Sequence, residues 1–187
     1  MLPIFDVNDD TPFERHFVLR DGRPATIRLM RPDDKDRLVE AFAKLDRQTV
    51  YTRFFAFRKQ LPEGPLNRIH TVDLVRLAAL VVTVGTGADE AIIGSATYVA
   101  GDAADGPRTA EVAFTIEEDY QGQGLAGRLL AGLVDIARRH GIQGFKAEVL
   151  AHNGAMLAVF RRSGLPLRQR QAGEVVHVSL ALQPAPG

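Results

Sequence analysis

A glycine-rich turn between a strand pattern and a helix pattern constrains this chain more than any other feature. Residues 109–116 form a strand pattern, and apolar side chains then recur at helical spacing over residues 125–137. Gly141 follows at the position of a left-handed C-cap, and residues 145–150 form a second strand pattern. Because crossovers of this kind are right-handed, the two strands are predicted to lie parallel in one sheet.

The chain before this crossover predicts an antiparallel meander. Three strand patterns cover residues 77–84, 91–100 and 109–116, and short, turn-rich links join them. Links of this kind favour antiparallel neighbours. Nearer the N-terminus, residues 16–19 and 25–30 flank an Asp-Gly pair, which is expected to supply the positive φ angles of a tight hairpin turn.

A first helix is predicted after this hairpin. Asp33 or Asp34 can cap it, because a carboxylate accepts hydrogen bonds from the free amides of a helix start. Its predicted apolar stripe comprises Leu38, Val39, Phe42 and Leu45. Residues 51–57 hold four aromatic side chains, and we expect helical or irregular packing there.

The C-terminal part predicts one more helix and a strand pair. The helix covers residues 153–163 and ends at Gly164, and residues 174–182 form a last strand with residues 168–171 as a possible partner. The predicted fold class is therefore α+β, with a mixed sheet that is antiparallel in its N-terminal half and parallel in its middle. We expect a single domain over residues 16–182, with flexible ends at 1–15 and 183–187.

Composition excludes several classes of function. The chain has 23 basic and 23 acidic residues, so no global field attracts nucleic acid or an anionic membrane. It has no cysteine, which excludes disulfides, a thiolate nucleophile and Cys-ligated metals. The acidic start and the short apolar runs predict a cytoplasmic protein without a membrane span. The five histidines are scattered, so no metal site is predicted; they are His16, His70, His140, His152 and His177.

The glycine-rich turn favours phosphate binding. The small residues among 121–127 let backbone N–H groups approach a ligand closely, and the first N–H groups of the following helix are unpaired and carry about half a positive charge. A phosphate or pyrophosphate is the natural ligand of such a turn. The alternative is that the glycines only allow the strand and the helix to pack tightly, and the turn by itself does not decide between the two.

A dinucleotide site is a formal competitor. Gly122, Gly124 and Gly127 match G-x-G-x-x-G, and Glu148 follows about 20 residues later, where such folds bind ribose. However, residues 117–121 separate the strand from the first glycine and contain three carboxylates. The chain after this crossover is also too short for a second half of a doubly wound sheet, so we disfavour this reading.

The same residues resemble the GNAT superfamily of acyl-CoA-dependent N-acetyltransferases. Gln121, Gly124 and Ala126 match its phosphate-binding signature, and Asn153 and Phe160 stand where the family has its next helix. Within the superfamily, residues 110–116 before the turn, together with residues 51–55, resemble the bacterial protein-lysine acetyltransferase branch.

This resemblance implies a mode of acetyl-CoA binding. The cofactor would enter a V-shaped gap where the two parallel strands splay apart, with the pantetheine arm along the first strand and the pyrophosphate on the turn amides. Asn153 would contact the arm from the opposite side; the alternative role of an asparagine at this position is to cap the following helix. The implied cofactor-binding residues are Phe114, Thr115, Ile116, Gln121, Gly122, Gln123, Gly124, Leu125, Ala126, Gly127, Asn153 and Phe160.

The resemblance also implies a catalytic base and an acceptor. Glu111 matches the branch's glutamate that takes the proton of the acceptor amine; otherwise it would be a solvated strand residue or the ion-pair partner of an arginine. Phe160 stands where many members have a tyrosine that protonates the thiolate, and phenylalanine has no proton to give. The expected acceptor is a protein lysine. A small-molecule amine and a non-catalytic acyl-CoA-binding module are the alternatives.

Overall fold

The computed structural model describes residues 13–43, 74–101 and 106–182. Within these ranges it contains eight strands and three α-helices. The strands are β1 (Glu14–Val18), β2 (Pro24–Leu29), β3 (Leu77–Val84), β4 (Ala91–Ala100), β5 (Thr109–Ile116), β6 (Gly144–Leu150), β7 (Leu167–Ala172) and β8 (Val175–Ala181). The helices are α1 (Lys35–Ala43), α2 (Leu125–Arg139) and α3 (Gly154–Arg161), and short 3-10 turns lie at Pro32–Asp34, Gly87–Asp89 and Glu118–Tyr120.

All eight strands form one mixed sheet in the order β1-β2-β3-β4-β5-β6-β8-β7. Strands β3, β4 and β5 have the predicted bounds and pair antiparallel. Only β5 and β6 pair parallel among these strands, as the crossover through α2 predicted. The sheet is antiparallel again from β6 through β8 to β7. The α+β fold class with a parallel central pair is confirmed.

Helix α2 covers one face of the sheet. Its apolar stripe is buried against side chains of β3 and β4. The helix comes very close at Gly132, where an added Cβ would lie 2.8 Å from Cδ1 of Leu80 and 2.9 Å from Cζ of Phe13. Helix α3 joins the same core through Leu157 and Phe160. The sheet therefore has both crossover helices on one side.

The hairpin differs from its prediction in the turn. Residues 19–23 connect β1 to β2, and only Gly22 has a positive φ there, at +87°. The Gly22 N–H donates to the Leu19 carbonyl, and the Leu19 N–H donates to the Arg23 carbonyl. The expectation that Asp21 also adopts a positive φ is wrong, because its carboxylate instead accepts bonds from the backbone and side chain of Arg23.

Helix α1 begins directly after Asp34, but the predicted capping by Asp33 or Asp34 is wrong, because Arg31 is the N-cap of the preceding 3-10 turn and Asp34 bonds back to it. The helix also buries a different set of side chains. Asp34 is completely buried, and its carboxylate accepts a 2.7 Å bond from the Arg31 N–H at the start of the 3-10 turn. Val39 is 48% exposed, so it does not belong to the apolar stripe, whereas Leu38 is half-buried. The Phe42 side chain, Leu45 and the segment 51–57 lie outside the described residues.

The C-terminal elements agree with their predictions. Helix α3 begins after Asn153, and Gly164 adopts a positive φ of +74° beyond its end. Strands β7 and β8 form the expected antiparallel pair. Among the described residues, no helix combines the length and the apolar character that crossing a membrane would require.

Candidate active site

The parallel strands β5 and β6 pair over only three positions. The pairs are Thr109 with Gly144, Ala110 with Phe145, and Glu111 with Lys146. Beyond them β5 remains paired with β4 as far as Ile116, and β6 remains paired with β8 as far as Leu150. The two strands therefore diverge after Glu111, and the edge of β5 at residues 112–116 no longer has β6 as a partner. This divergence is the V-shaped gap that the resemblance implied.

The glycine turn follows the open end of β5 after the 3-10 turn at Glu118–Tyr120. Gly122 and Gly124 have φ angles of +73° and +78°, in the left-handed region that favours glycine. A Cβ added at Gly122, Gly124 or Gly127 would meet no atom within 4 Å. Tight packing therefore does not explain these glycines, in contrast to Gly132. Backbone conformation requires glycine at 122 and 124, and open space surrounds them.

The amides of this turn are available to a ligand. Gly124 is the N-cap of α2, and it has no side chain to bond the free N–H groups. The first amide paired within the helix is that of Arg128, which donates to the Gly124 carbonyl at 3.2 Å. The described part of the chain provides no acceptor for the N–H groups of Leu125, Ala126 and Gly127. Together with the helix dipole, these donors form a site for an anion.

The β1–β2 connection holds the turn in place. The Arg20 N–H donates to Oε1 of Gln123 at 3.2 Å, and Nη1 of Arg23 donates to the Tyr120 hydroxyl at 2.9 Å. Arg23 also lies over the Tyr120 ring, and its side-chain hydrogen bond lowers the pKa of Asp21. These contacts were missed at the sequence level, because nothing local marks two loops about 100 residues apart as neighbours.

Two further residues of the turn have defined positions. Nε2 of Gln121 donates to the Ile116 carbonyl at 3.2 Å, so the side chain folds back onto the end of β5. The guanidinium of Arg128, in the first turn of α2, lies 4.6 Å from the ring centre of Phe17 in β1. Arg128 is exposed and adds positive charge next to the turn amides.

Glu111 occupies the last paired position before the strands diverge. It faces Val99 of β4 on one side and Lys146 of β6 on the other, and it is exposed. Its carboxylate makes no hydrogen bond or ion pair with another described residue. A carboxylate at the vertex of the gap, with no structural partner there, is positioned to accept a proton from a group that enters the gap.

Asn153 and Phe160 have structural roles in the described molecule. Oδ1 of Asn153 accepts the Met156 N–H at 3.1 Å, which is the N-cap bond of α3. Phe160 is only 1% exposed and packs edge-on against Phe114, with ring centres 6.0 Å apart. The packing supports β5 from the core side. Contact of either residue with a cofactor stays a prediction, as do the cofactor roles of Thr115 and Ile116 in the half-buried end of β5.

Among residues 13–43, 74–101 and 106–182, no group of three His, Asp or Glu side chains lies close enough to hold a metal ion. Two histidines there pair singly with carboxylates. Nε2 of His16 lies 3.1 Å from Glu14, and Nδ1 of His177 lies 3.3 Å from Glu148.

Comparison with known proteins identifies relatives with this architecture. The model of the acetyltransferase (GNAT) family matches residues 48–165. Acetyltransferase Pat of Mycolicibacterium smegmatis is 31% identical over 158 residues, which are 84% of this chain and 46% of the relative. Acetyltransferase PA5475 of Pseudomonas aeruginosa is 32% identical over 143 residues, which are 75% of each chain. The chain thus spans less than half the length of Pat.

A solved structure agrees with the fold as well. The GNAT domain of S. lividans PAT is 32% identical and superposes with a TM-score of 0.78, over 90% of this chain and 96% of that domain. The diverging strands, the glycine turn and the family match describe the same architecture. The chain belongs to the GNAT family of acetyltransferases.

Proposed function

We propose that this chain transfers an acetyl group from acetyl-CoA to a primary amine, with a protein lysine as the acceptor. The observation that supports this most is the meeting of two open hydrogen-bonding surfaces. One is the edge of β5 beyond Glu111, and the other is the set of free amides at the start of α2. Acetyl-CoA carries groups that match both, namely an amide-containing arm and a diphosphate.

The turn would bind the diphosphate. The free N–H groups of Leu125, Ala126 and Gly127 would direct their partial positive charge at the ligand, and the open space at the glycines leaves room for phosphate oxygens. Gln121 and Gln123 hold the turn through bonds to Ile116 and Arg20, so binding needs little reorganisation. The backbone of residues 114–116 would then pair with the pantetheine arm, in the same way as the backbone of residues 109–111 pairs with β6.

Glu111 would act as the general base. A lysine ammonium has a pKa of about 10.4, so it must lose a proton before its nitrogen can attack. The ammonium would pass one proton to the Glu111 carboxylate, which releases it to solvent, and the neutral nitrogen would then attack the acetyl carbon. As the C–N bond forms and the C–S bond breaks, the nitrogen would lose its second proton to the same carboxylate. The leaving thiolate has a moderate basicity, with a pKa near 8.5 for a free thiol, so it can depart without an acid. This is consistent with a phenylalanine at position 160.

The resemblance of residues 110–116 to the protein-lysine branch supports a protein acceptor. A small amine would use the same gap and the same base. A competition experiment between protein and small-molecule acceptors therefore decides between the two candidates. Labelled acetyl-CoA is incubated with the enzyme, a mixture of folded proteins and a set of small amines. We expect the label in protein bands. Label in small amines alone would favour the second candidate, and cofactor binding by calorimetry without thiol release would indicate a non-catalytic module.

Substitution of Glu111 tests the proposed base. We expect Glu111→Gln to lower kcat about a hundredfold to ten-thousandfold, because this is the usual contribution of a general base. Acetyl-CoA affinity, measured by calorimetry, should not change. Glu40→Gln is the matched control, since Glu40 is an exposed glutamate on α1. Turnover of Glu111→Gln close to wild type on a proven acceptor would contradict the assignment.

A further inference from the structure

A row of basic side chains lies on the same sheet face as Glu111. The strand registers place Glu111 opposite Lys146, Lys146 opposite Ser179, and Ser179 opposite Arg168. Residues opposite each other in a sheet present their side chains on the same face. The next row repeats the pattern with Glu148, His177 and Arg170. We call Lys146, Arg168 and Arg170 the basic strip.

Both α2 and α3 lie on the other face of the sheet. Buried and exposed residues alternate along β6 and β8, so one face of these strands is covered by the helices and the other is open to solvent. Phe145, Ala147, Val178 and Leu180 face the core, whereas Lys146 and the residues of its row are exposed. The basic strip is therefore exposed on the side opposite these helices, where the Glu111 carboxylate also lies.

The arginines of the strip lack an acidic partner within the described ranges. Arg168 and Arg170 take part in no ion pair there, and with Gln169, His177 and Ser179 they line an open cavity of about 730 Å³. Among the residues that the structure describes, no carboxylate lines this cavity. The nearest acidic side chain on these rows is Glu148, and it pairs with His177 at 3.3 Å. Two guanidinium groups thus remain available for carboxylates of a ligand.

We propose that the basic strip binds acidic side chains of the polypeptide that carries the acceptor lysine. This inference rests on the proposed function and adds a sequence preference to it. Neighbouring strands are about 4.8 Å apart, so Arg168, three strands from Glu111, lies about 14 Å away. An extended peptide rises about 3.3 Å per residue. Acidic residues four or five positions from the acceptor lysine would therefore reach the arginines.

Matched peptides test the preference. One labelled peptide has a central lysine with aspartates four and five positions away on both sides, and its partner has asparagines at these positions. Binding is measured by fluorescence anisotropy and acetyl transfer by kcat/KM, both with the full chain. We expect the wild type to prefer the acidic peptide about three- to tenfold in both measurements, as exposed ion pairs are individually weak. The preference should diminish at high ionic strength.

The double variant Arg168→Gln/Arg170→Gln should remove the preference and leave the affinity for the neutral peptide unchanged. Arg139→Gln is the control, because Arg139 is an exposed arginine on α2, across the sheet. Circular dichroism checks folding, and the single Arg168→Gln variant, which should lose part of the preference, serves if the double variant does not fold. Equal binding of both peptides by the wild type, or a preference that survives in the double variant, would overturn the proposal.

The two measurements separate failure of this inference from failure of the proposed function. If both peptides are acetylated equally well and bind equally, the acetyltransferase assignment stands and the basic strip has no role in recognition. If the acidic peptide binds more tightly but no amine is acetylated, the strip is an acidic-segment binding surface and the proposed catalytic function is wrong.

Discussion

Two polar regions of this molecule use their hydrogen-bonding groups in opposite ways. In the first, Arg28 donates two 2.8 Å bonds to the Asp34 carboxylate and another of 2.9 Å to Glu90. The Arg28 and Asp34 side chains are only 4% and 0% exposed. In the second, the glycine turn is open, and its amides at the start of α2 have no acceptor among the described residues.

The difference separates groups that hold the fold from groups that serve a ligand. The buried cluster joins the end of β2, the start of α1 and the β3–β4 link, and Arg37 extends it by donating to the Glu90 carbonyl at 3.2 Å. Its charges are paired inside the protein because an unpaired buried charge is very costly. The turn amides are exposed, so water can satisfy them until a ligand does.

The largest expected effect comes from breaking the buried cluster. Arg28→Ala should lower the free energy of unfolding by about 3–5 kcal/mol, because it leaves the Asp34 carboxylate buried without its main partner. Urea denaturation measures this, with the exposed Arg139→Ala as control, which should change stability by no more than about 0.5 kcal/mol. A loss below about 1 kcal/mol for Arg28→Ala would mean that the cluster contributes little to the fold.

Acid should weaken the same cluster. Burial raises the pKa of Asp34, but the hydrogen bonds from Arg28 and the Arg31 N–H outweigh burial, and the pKa is lowered below its usual value. A lowered pKa in the folded state stabilises the protein above the unfolded pKa of about 3.9, and the stabilisation is lost as the pH falls through the folded pKa. We therefore expect the urea concentration at the unfolding midpoint, measured from pH 7 to pH 2.5, to decrease once the pH drops below about 4.

Asp34→Asn provides the comparison for this pH dependence. The variant should be less stable than wild type at pH 7, and the difference should narrow in acid, where the wild-type carboxyl also becomes neutral. A constant difference over the whole pH range would show that Asp34 does not titrate in this way.

A smaller effect on stability and a selective effect on binding are expected at the turn. Gly124→Ala should cost about 1–2 kcal/mol of stability, since an L-residue is disfavoured at positive φ. Acetyl-CoA affinity should fall about tenfold or more, because losing one hydrogen bond to a charged group costs about 1.5–3 kcal/mol. Calorimetry and urea denaturation measure the two effects. Under conditions where the Arg28→Ala variant remains folded, it should bind acetyl-CoA with wild-type affinity. That result would show that the buried cluster serves the fold and the glycine turn serves the ligand.

Gly127→Ala is the stability control for this experiment. Gly127 has an ordinary helical conformation and open space around it, so alanine there should stabilise α2 by up to about 1 kcal/mol. If Gly124→Ala stabilised the protein equally, the positive φ would not constrain position 124.

The smallest effect should come from the contact between the hairpin and the turn. Tyr120→Phe removes the hydroxyl that accepts the bond from Arg23 but keeps the ring beneath the guanidinium. We expect KM for acetyl-CoA to rise about two- to fourfold with kcat unchanged. The bond between Arg23 and Tyr120 is exposed, and it affects only the position of the glycine turn. A change in kcat with KM unaltered would show that Tyr120 acts elsewhere.

The strands and helices could be predicted where local patterns were strong. The bounds of β3, β4 and β5 agree with their apolar runs, and the parallel pairing of β5 with β6 agrees with the helical crossover that joins them. The hairpin turn was only partly predictable. Its conformation depends on the Asp21 carboxylate binding Arg23, which competes with the positive φ that an Asp-Gly pair allows.

The residues of the candidate site come from sequence patterns and their roles stay predictions, whereas the environment of the site could not be predicted at all. Gln121, Gly124 and Glu111 were identified from motifs and resemblance. The sequence could not show that Arg28 contacts Glu90 or that Arg23 contacts Tyr120, because the two members of these pairs are 62 and 97 positions apart. No local pattern encodes such contacts, since they exist only after the sheet has assembled.

The sequence by itself determined the order of strands and helices, the glycines at positive φ and the absence of cysteine chemistry, because backbone preference and side-chain type act locally. Only the tertiary structure decided where β5 and β6 separate, and that Glu111 shares its sheet face with the basic strip. These depend on register between strands, which is set by packing over the whole sheet and cannot be read from any one segment.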